Sequence, residues 1–274
     1  MKRNHPLATV GAHVLLLAGA FLMLIPLLWT VSTSFKAPGT EFSLPVRWIP
    51  ETWHPENYLE VARLVPLGRW FFNSLVVALA CTVGQMLTGS MAGYAFARLR
   101  FRGRDTAFLL FLATMMIPPQ VTIIPLFIIV RALGWYDTYP GLIVPGLFGA
   151  FSVFIMRQFF LTVPGELEDA ARIDGANHWQ IYWRVMLPLS GPALATLGTF
   201  TFMTFWNSFL YPLIITRREE MRTLPVGLSV FRETFTTEWT LLTAGLVMSL
   251  IPVVIAFLLG QRYFVRGINM TGLK

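Results

Sequence analysis

Charge is scarce in this 274-residue chain: Asp, Glu, Lys and Arg make up 13% of it, whereas a soluble domain carries about 25%. The shortage is also uneven. Six stretches longer than 18 residues hold none of these four residue types: 4–35, 70–97, 106–130, 138–156, 185–216 and 239–261. A hydrocarbon core of about 30 Å takes roughly 20 apolar residues as α-helix, so each stretch has room for one transmembrane helix. The expected fold is all-α, a polytopic membrane protein forming one domain over 1–274. Its spans fall at about 13–35, 70–97, 106–130, 138–160, 190–216 and 239–261.

Other shortages exclude whole classes of chemistry. Cys81 is the only cysteine, so no intrachain disulfide can form, and its place inside the second span suits a small buried apolar side chain. Lysine is confined to Lys2, Lys36 and Lys274, none preceded by glycine, which rules out a Walker A loop and ATP hydrolysis by that route. None of His5, His13, His54 and His178 belongs to an H-E-x-x-H pair, so a zinc protease is excluded and no metal site is expected. Nothing pairs a serine with a histidine at membrane depth, which leaves an intramembrane serine protease without support. Proton- and ion-coupled transporters commonly hold an ionisable group inside a span, and these spans hold none, so energy for any transport comes from another chain.

The net charge of +7 calls for no nucleic acid, because basic residues beside membrane helices are expected on the cytoplasmic side. With six spans both termini share a side. The terminal side holds 12 of the 21 basic residues, and Arg98, Arg100, Arg102 and Arg104 crowd into one short loop there, so the expected orientation is N-in and C-in. The first span follows Lys2 and Arg3 as a signal peptide would, but it continues past Trp29 without a clear small-residue cleavage site. It reads as an uncleaved helix, with cleavage left open. On the outer side, the proline-rich segment 36–69, with Trp48 and Trp53, reads as an ordered surface loop, and 217–238 as a second contact surface. Span two carries Gly84, Gly89 and Gly93, the last two forming a G-x-x-x-G pair that places small residues on one face and lets another helix approach closely.

The most patterned segment is 163–188, between spans four and five. Pro164 suits a helix start, Glu166, Glu168 and Asp169 suit the positive end of the helix dipole, and Gly175 suits a C-terminal cap. Trp179, Trp183 and Met186 then recur at i, i+4 and i+7, with Tyr182 and Val185 alongside, as in a second amphipathic helix ending at Pro188. Two short helices at right angles are expected. Their apolar face needs either lipid headgroups or a protein groove.

The segment resembles the EAA loop of ABC transporter permeases, with Asp169-Ala170-Ala171, Gly175, Val185, Leu187 and Pro188 at the loop's spacings and Asp174-Gly175-Ala176 inside it. Asp169 stands for the usual glutamate and Val185 for the usual isoleucine, so either Asp169 or Glu168 takes the glutamate's role. Asn73-Ser74, Met116-Ile117-Pro118, the run 156–160 and Trp206-Asn207 extend the likeness to carbohydrate-uptake permeases, and the tail Gly267 to Lys274 resembles that of the smaller of two paired permeases.

The resemblance implies a non-enzymatic, multi-pass subunit in the cytoplasmic membrane, importing a sugar or sugar-like solute. Its implied partners are a second, different permease, an ATPase dimer that binds ATP and Mg, an extracytoplasmic solute-binding protein, and membrane lipid. No cofactor is then expected in this chain. ATPase coupling would rest on Glu168, Asp169, Ala170, Ala171, Asp174, Gly175, Ala176, Leu187 and Pro188. Trp206 can stack on a sugar ring and Asn207 can bond hydroxyl groups in the path, or either can serve helix packing. A membrane scaffold that recruits a cytoplasmic partner through 163–188 without transport is the competing expectation.

Overall fold

The structure, a computed structural model, describes residues 6–232 and 237–271, with side chains over 10–232 and 237–261. Among the described residues the regular structure is helical apart from one isolated bridge, Arg232 to Thr237. Packing divides the chain into two compact units, Met1–Leu67 with Leu228–Leu250, and Gly68–Gly227 with Ile251–Lys274.

In the first unit α1 (Pro6–Ser34) leads into the proline-rich segment and α2 (Glu56–Leu64). The segment is ordered by side chains. Asn57 donates from Nδ2 to the carbonyls of Ser34 (2.9 Å) and Lys36 (3.0 Å), and Ser34 Oγ lies 2.7 Å from Tyr58 Oη. Trp29 meets Trp48 edge-on at 5.1 Å and takes the Lys36 ammonium over its face at 3.8 Å. Burial lowers the Lys36 pKa against the opposing pull of Glu41.

The second unit is built on α3 (Leu67–Arg98), whose glycines do what their spacing requires. A Cβ on Gly89 would sit 2.6 Å from Ser152 Cβ, and one on Gly93 2.7 Å from Met156 Cβ, so only glycine lets α3 press against the fourth span. That span joins α6 (Tyr139–Ile143), a 3-10 turn (Val144–Gly146) and α7 (Ala150–Thr162). The third runs as α4 (Arg104–Ala113), a 3-10 turn (Thr114–Met116) and α5 (Pro119–Ala132), bent by 99° where Pro118 and Pro119 withhold two donors. Among the described residues four helices are long and apolar enough to cross a membrane, up to six if each bent pair is one span.

At the start of α3, Asn73 donates from Nδ2 to the carbonyls of Glu220 (2.7 Å) and Arg222 (2.8 Å) and accepts from Tyr139 Oη (2.6 Å). Ser74 Oγ accepts from the Leu224 amide at 2.7 Å, at the start of the short α13 (Leu224–Leu228). These two side chains therefore hold the 219–224 segment. The last helix, α14 (Trp239–Thr271), carries Pro252; of the tail, residues 272–274 lie outside the described residues.

Candidate coupling site

The 163–188 segment folds as two short helical pieces around one left-handed residue. The first, α8 (Glu166–Ile173), begins two residues after Pro164 with all three acids in its first turn. It ends in a Schellman arrangement: Ala176 N–H reaches Ala171 O at 2.9 Å, Gly175 N–H reaches Arg172 O at 3.0 Å, and Gly175 takes φ +83. Ala171 and Ala176 both pack on the cluster of Tyr94, Phe160, Tyr182 and Met186, the apolar contact that accompanies this cap. The next piece starts with a capping box, in which the Asn177 side chain accepts from the Gln180 amide and the Gln180 side chain accepts from the Asn177 amide, both at 2.9 Å.

Beyond α9 (His178–Ile181) the chain widens into a π-helical turn, Tyr182–Met186, and a last turn, α10 (Leu187–Leu189). This alters the expected stripe. Trp179 and Trp183 are exposed while Met186 is buried, and the inward face is Ile181, Tyr182 and Met186. The cause is the wider turn, closed by the Leu187 N–H on Tyr182 O, which breaks the 3.6-residue register that the stripe assumes. Nor does Pro188 end the helix. It sits within the last turn, and the 75° bend comes after it, before α11 (Gly191–Trp206). Its missing N–H cannot serve the Arg184 carbonyl, a deficit that the π-turn accommodates.

Charge holds the segment to the end of α3. Glu168 is 4% exposed, and its Oε1 lies 3.1 Å from Arg98 Nε, off the N–H direction, as an ion pair rather than a hydrogen bond. Arg98 Nη2 donates to Phe160 O at 2.6 Å and also to Val163 O. One guanidinium thus joins α3, the end of α7 and α8. Ser90 Oγ, 2.7 Å from Tyr182 Oη, fixes the other side of the seat. The sequence singles out Arg98 only as one residue of the basic loop that sets the orientation, and Ser90 not at all, because their partners stand 60 or more residues away.

The remaining residues expected to couple divide by exposure. Asp169, Ala170, Asp174 and Pro188 are exposed, and Leu187 packs partly on the cluster. Asp169 reaches no further than Arg172 at 3.3 Å on its own helix. Leu167, Ile173 and Trp179 are exposed apolar groups of the same segment, Ile173 at 87% exposure. Beside them Arg98, Arg100, Arg104 and Arg172 line an open cleft of about 640 Å³. A seated base with an exposed acidic and apolar crest is suited to docking another protein.

Trp206 and Asn207 part company at the end of α11. Trp206 is buried, stacked on Phe202 at 5.7 Å and edge-on to Phe71 at 5.2 Å. Asn207 is exposed, and its Nδ2 donates back to Met203 O at 2.8 Å, a local bond that helps end the helix before α12 (Leu210–Ile215).

The family described as binding-protein-dependent transport system inner membrane component matches residues 85–270, which include the whole coupling segment. This chain belongs to that family. It is 39% identical to the probable ABC transporter permease protein YurM of Bacillus subtilis, over 93% of this chain and 86% of the relative. It is 38% identical to the arabinooligosaccharides transport system permease protein AraQ of Halalkalibacterium halodurans, over 93% and 92%. It is 36% identical to the sn-glycerol-3-phosphate transport system permease protein UgpE of Yersinia enterocolitica, over 98% of both. Its fold matches a chain of a bacterial ABC transporter that imports the acidic polysaccharide alginate, with a TM-score of 0.82, 28% identity and coverage of 96% and 99%. A methionine ABC transporter in an inward-facing form shares the fold at a TM-score of 0.56. The chain is accordingly a multi-pass permease of an ABC importer, not an enzyme, and the scaffold reading is not favoured.

Proposed function

We propose that this permease pairs with a second, different permease to form the path for a sugar or sugar-like solute, delivered by an external binding protein and driven by an ATPase dimer. The observation that carries the reading is the coupling segment. Its base is fixed by Arg98 and the Tyr182 cluster, and its crest of Leu167, Asp169, Ile173 and Trp179 is exposed. In this reading ATP and Mg bind the ATPase, whose closure pulls on the crest, and the seated base passes the movement to α3 and α11 as a rigid-body shift. Asp169, which is exposed, rather than the buried Glu168, is the acid offered to the ATPase. The charge distribution supports N-in and C-in in the cytoplasmic membrane, which places the crest on the ATP side. Relatives named for arabinooligosaccharides, glycerol-3-phosphate and alginate support a hydroxylated solute.

The test is reconstitution with the partner permease, ATPase and binding protein in liposomes. ATP hydrolysis should rise several-fold when solute-loaded binding protein is added to the outer face, together with solute uptake. ATPase activity indifferent to the binding protein, with no uptake, would overturn the reading.

A further inference from the structure

The 99° break in the third span leaves polar backbone where hydrocarbon could not satisfy it. Met115 O would be served at i+3 or i+4 by Pro118 or Pro119, and neither has an N–H. Starting from Arg104, the first arm places the break about 20 Å along, inside a core of about 30 Å. Residues 113–122 are exposed ten in succession, Met116 at 85%, whereas a helix packed on a bundle exposes one face. The carboxamide of Gln120 is exposed too, and no described residue hydrogen-bonds it. By contrast, the hydroxyls of Thr114 and Thr122 turn back on their own chain, to Phe111 O and Pro119 O.

Irregular backbone at membrane depth persists only where protein covers it or water reaches it. An uncapped carbonyl and an unpartnered amide, side by side on a segment that its own chain leaves bare, fit water. We propose that the break at 114–120 lines the aqueous translocation path, with Met115 O and the Gln120 carboxamide facing the passing solute. This deepens the importer reading and rests on it. Discontinuous helices near the bilayer midplane form solute sites in other transporter folds for the same reason: freed backbone groups are available to a polar ligand.

The test uses the assembled complex in membranes and a charged, membrane-impermeant methanethiosulfonate as probe. Wild type is the blank, because its one cysteine, Cys81, is buried. Met116→Cys and Gln120→Cys should react at least ten-fold faster than Leu109→Cys and Ile128→Cys, whose exposed apolar parents lie on the two helical arms. Rates at the break as slow as on the arms would overturn the proposal. So would rapid labelling seen only after detergent has stripped away the partner chains, since a partner would then cover the break. ATP hydrolysis stimulated by binding protein, measured on the same wild-type complex, keeps a failed path assignment distinct from a failed importer assignment.

Discussion

At Gly175 a Cβ would meet nothing within 4 Å, so any cost of substitution there is conformational. With φ at +83, a side chain costs roughly 1–2 kcal/mol and a β-branched one more. Gly175→Val should tilt the capping-box helix away from its seat, cutting uptake about ten-fold while the complex still assembles; wild-type uptake and ATPase activity would dismiss the cap's role. The neighbouring acids show what sequence could not resolve. Glu168 and Asp169 are adjacent carboxylates, equally placed for the helix dipole, and they differ in direction: one meets Arg98, seventy residues away in the chain, and the other faces out. Glu168→Gln leaves a largely buried guanidinium without its counter-ion, which for buried pairs costs about 3–5 kcal/mol, so the purified complex should melt at lower temperature. Asp169→Asn should leave that melting temperature unchanged and weaken ATPase capture. The reverse pattern would exchange the two roles.

Elements were legible where one physical constraint dominates. Charge-free stretches locate spans because hydrocarbon excludes ions, and G-x-x-x-G located a close contact because only glycine permits it. Gly93→Val tests that contact: a Cβ there meets Met156 Cβ at 2.7 Å and the Arg157 amide nitrogen at 2.8 Å, and backbone cannot give way as a side-chain tip can. Overpacking of this kind costs about 1–3 kcal/mol, and here it should lower the yield of folded protein in detergent. A Gly93→Val chain that is folded and as stable as wild type would mean that α3 and α7 separate freely. Bends were less legible. The prolines at 118 and 119 mark an interruption of the third span in the sequence, but hydropathy measures length and apolarity, not direction, so the size of the turn, 99°, is not legible there. The π-turn after Ile181 is invisible in composition because it answers to packing and to Pro188 rather than to any residue preference of its own.

The polytopic all-α class was readable at the scale of the whole molecule, whereas the ties between distant loops were not. Asp137 is an example, a single acid in a short connection that no spacing singles out. It takes φ +58 and accepts from the Arg217 amide (2.9 Å), the Arg218 amide (3.2 Å) and Arg218 Nε (2.6 Å), while its own amide donates to Ile215 O at 2.9 Å. The connection after α5 is thereby tied to the end of α12. Burial pushes the Asp137 carboxyl up, but the Arg217 amide and the Arg218 guanidinium and amide together outweigh it and hold the pKa below the ordinary 3.8. A depressed carboxylate contributes stability that is fully present above its unfolded pKa and is lost as pH falls through the folded one. The tie should therefore be intact at neutral pH and at pH 5, and release only below about pH 4. Asp137→Asn keeps an oxygen for the amides but loses the ion pair. Its melting temperature in detergent should lie below wild type at pH 7, and the gap should close as the pH drops from 5 towards 3. A gap of constant size across that range would mean that the carboxylate's charge plays no part in holding the two loops together.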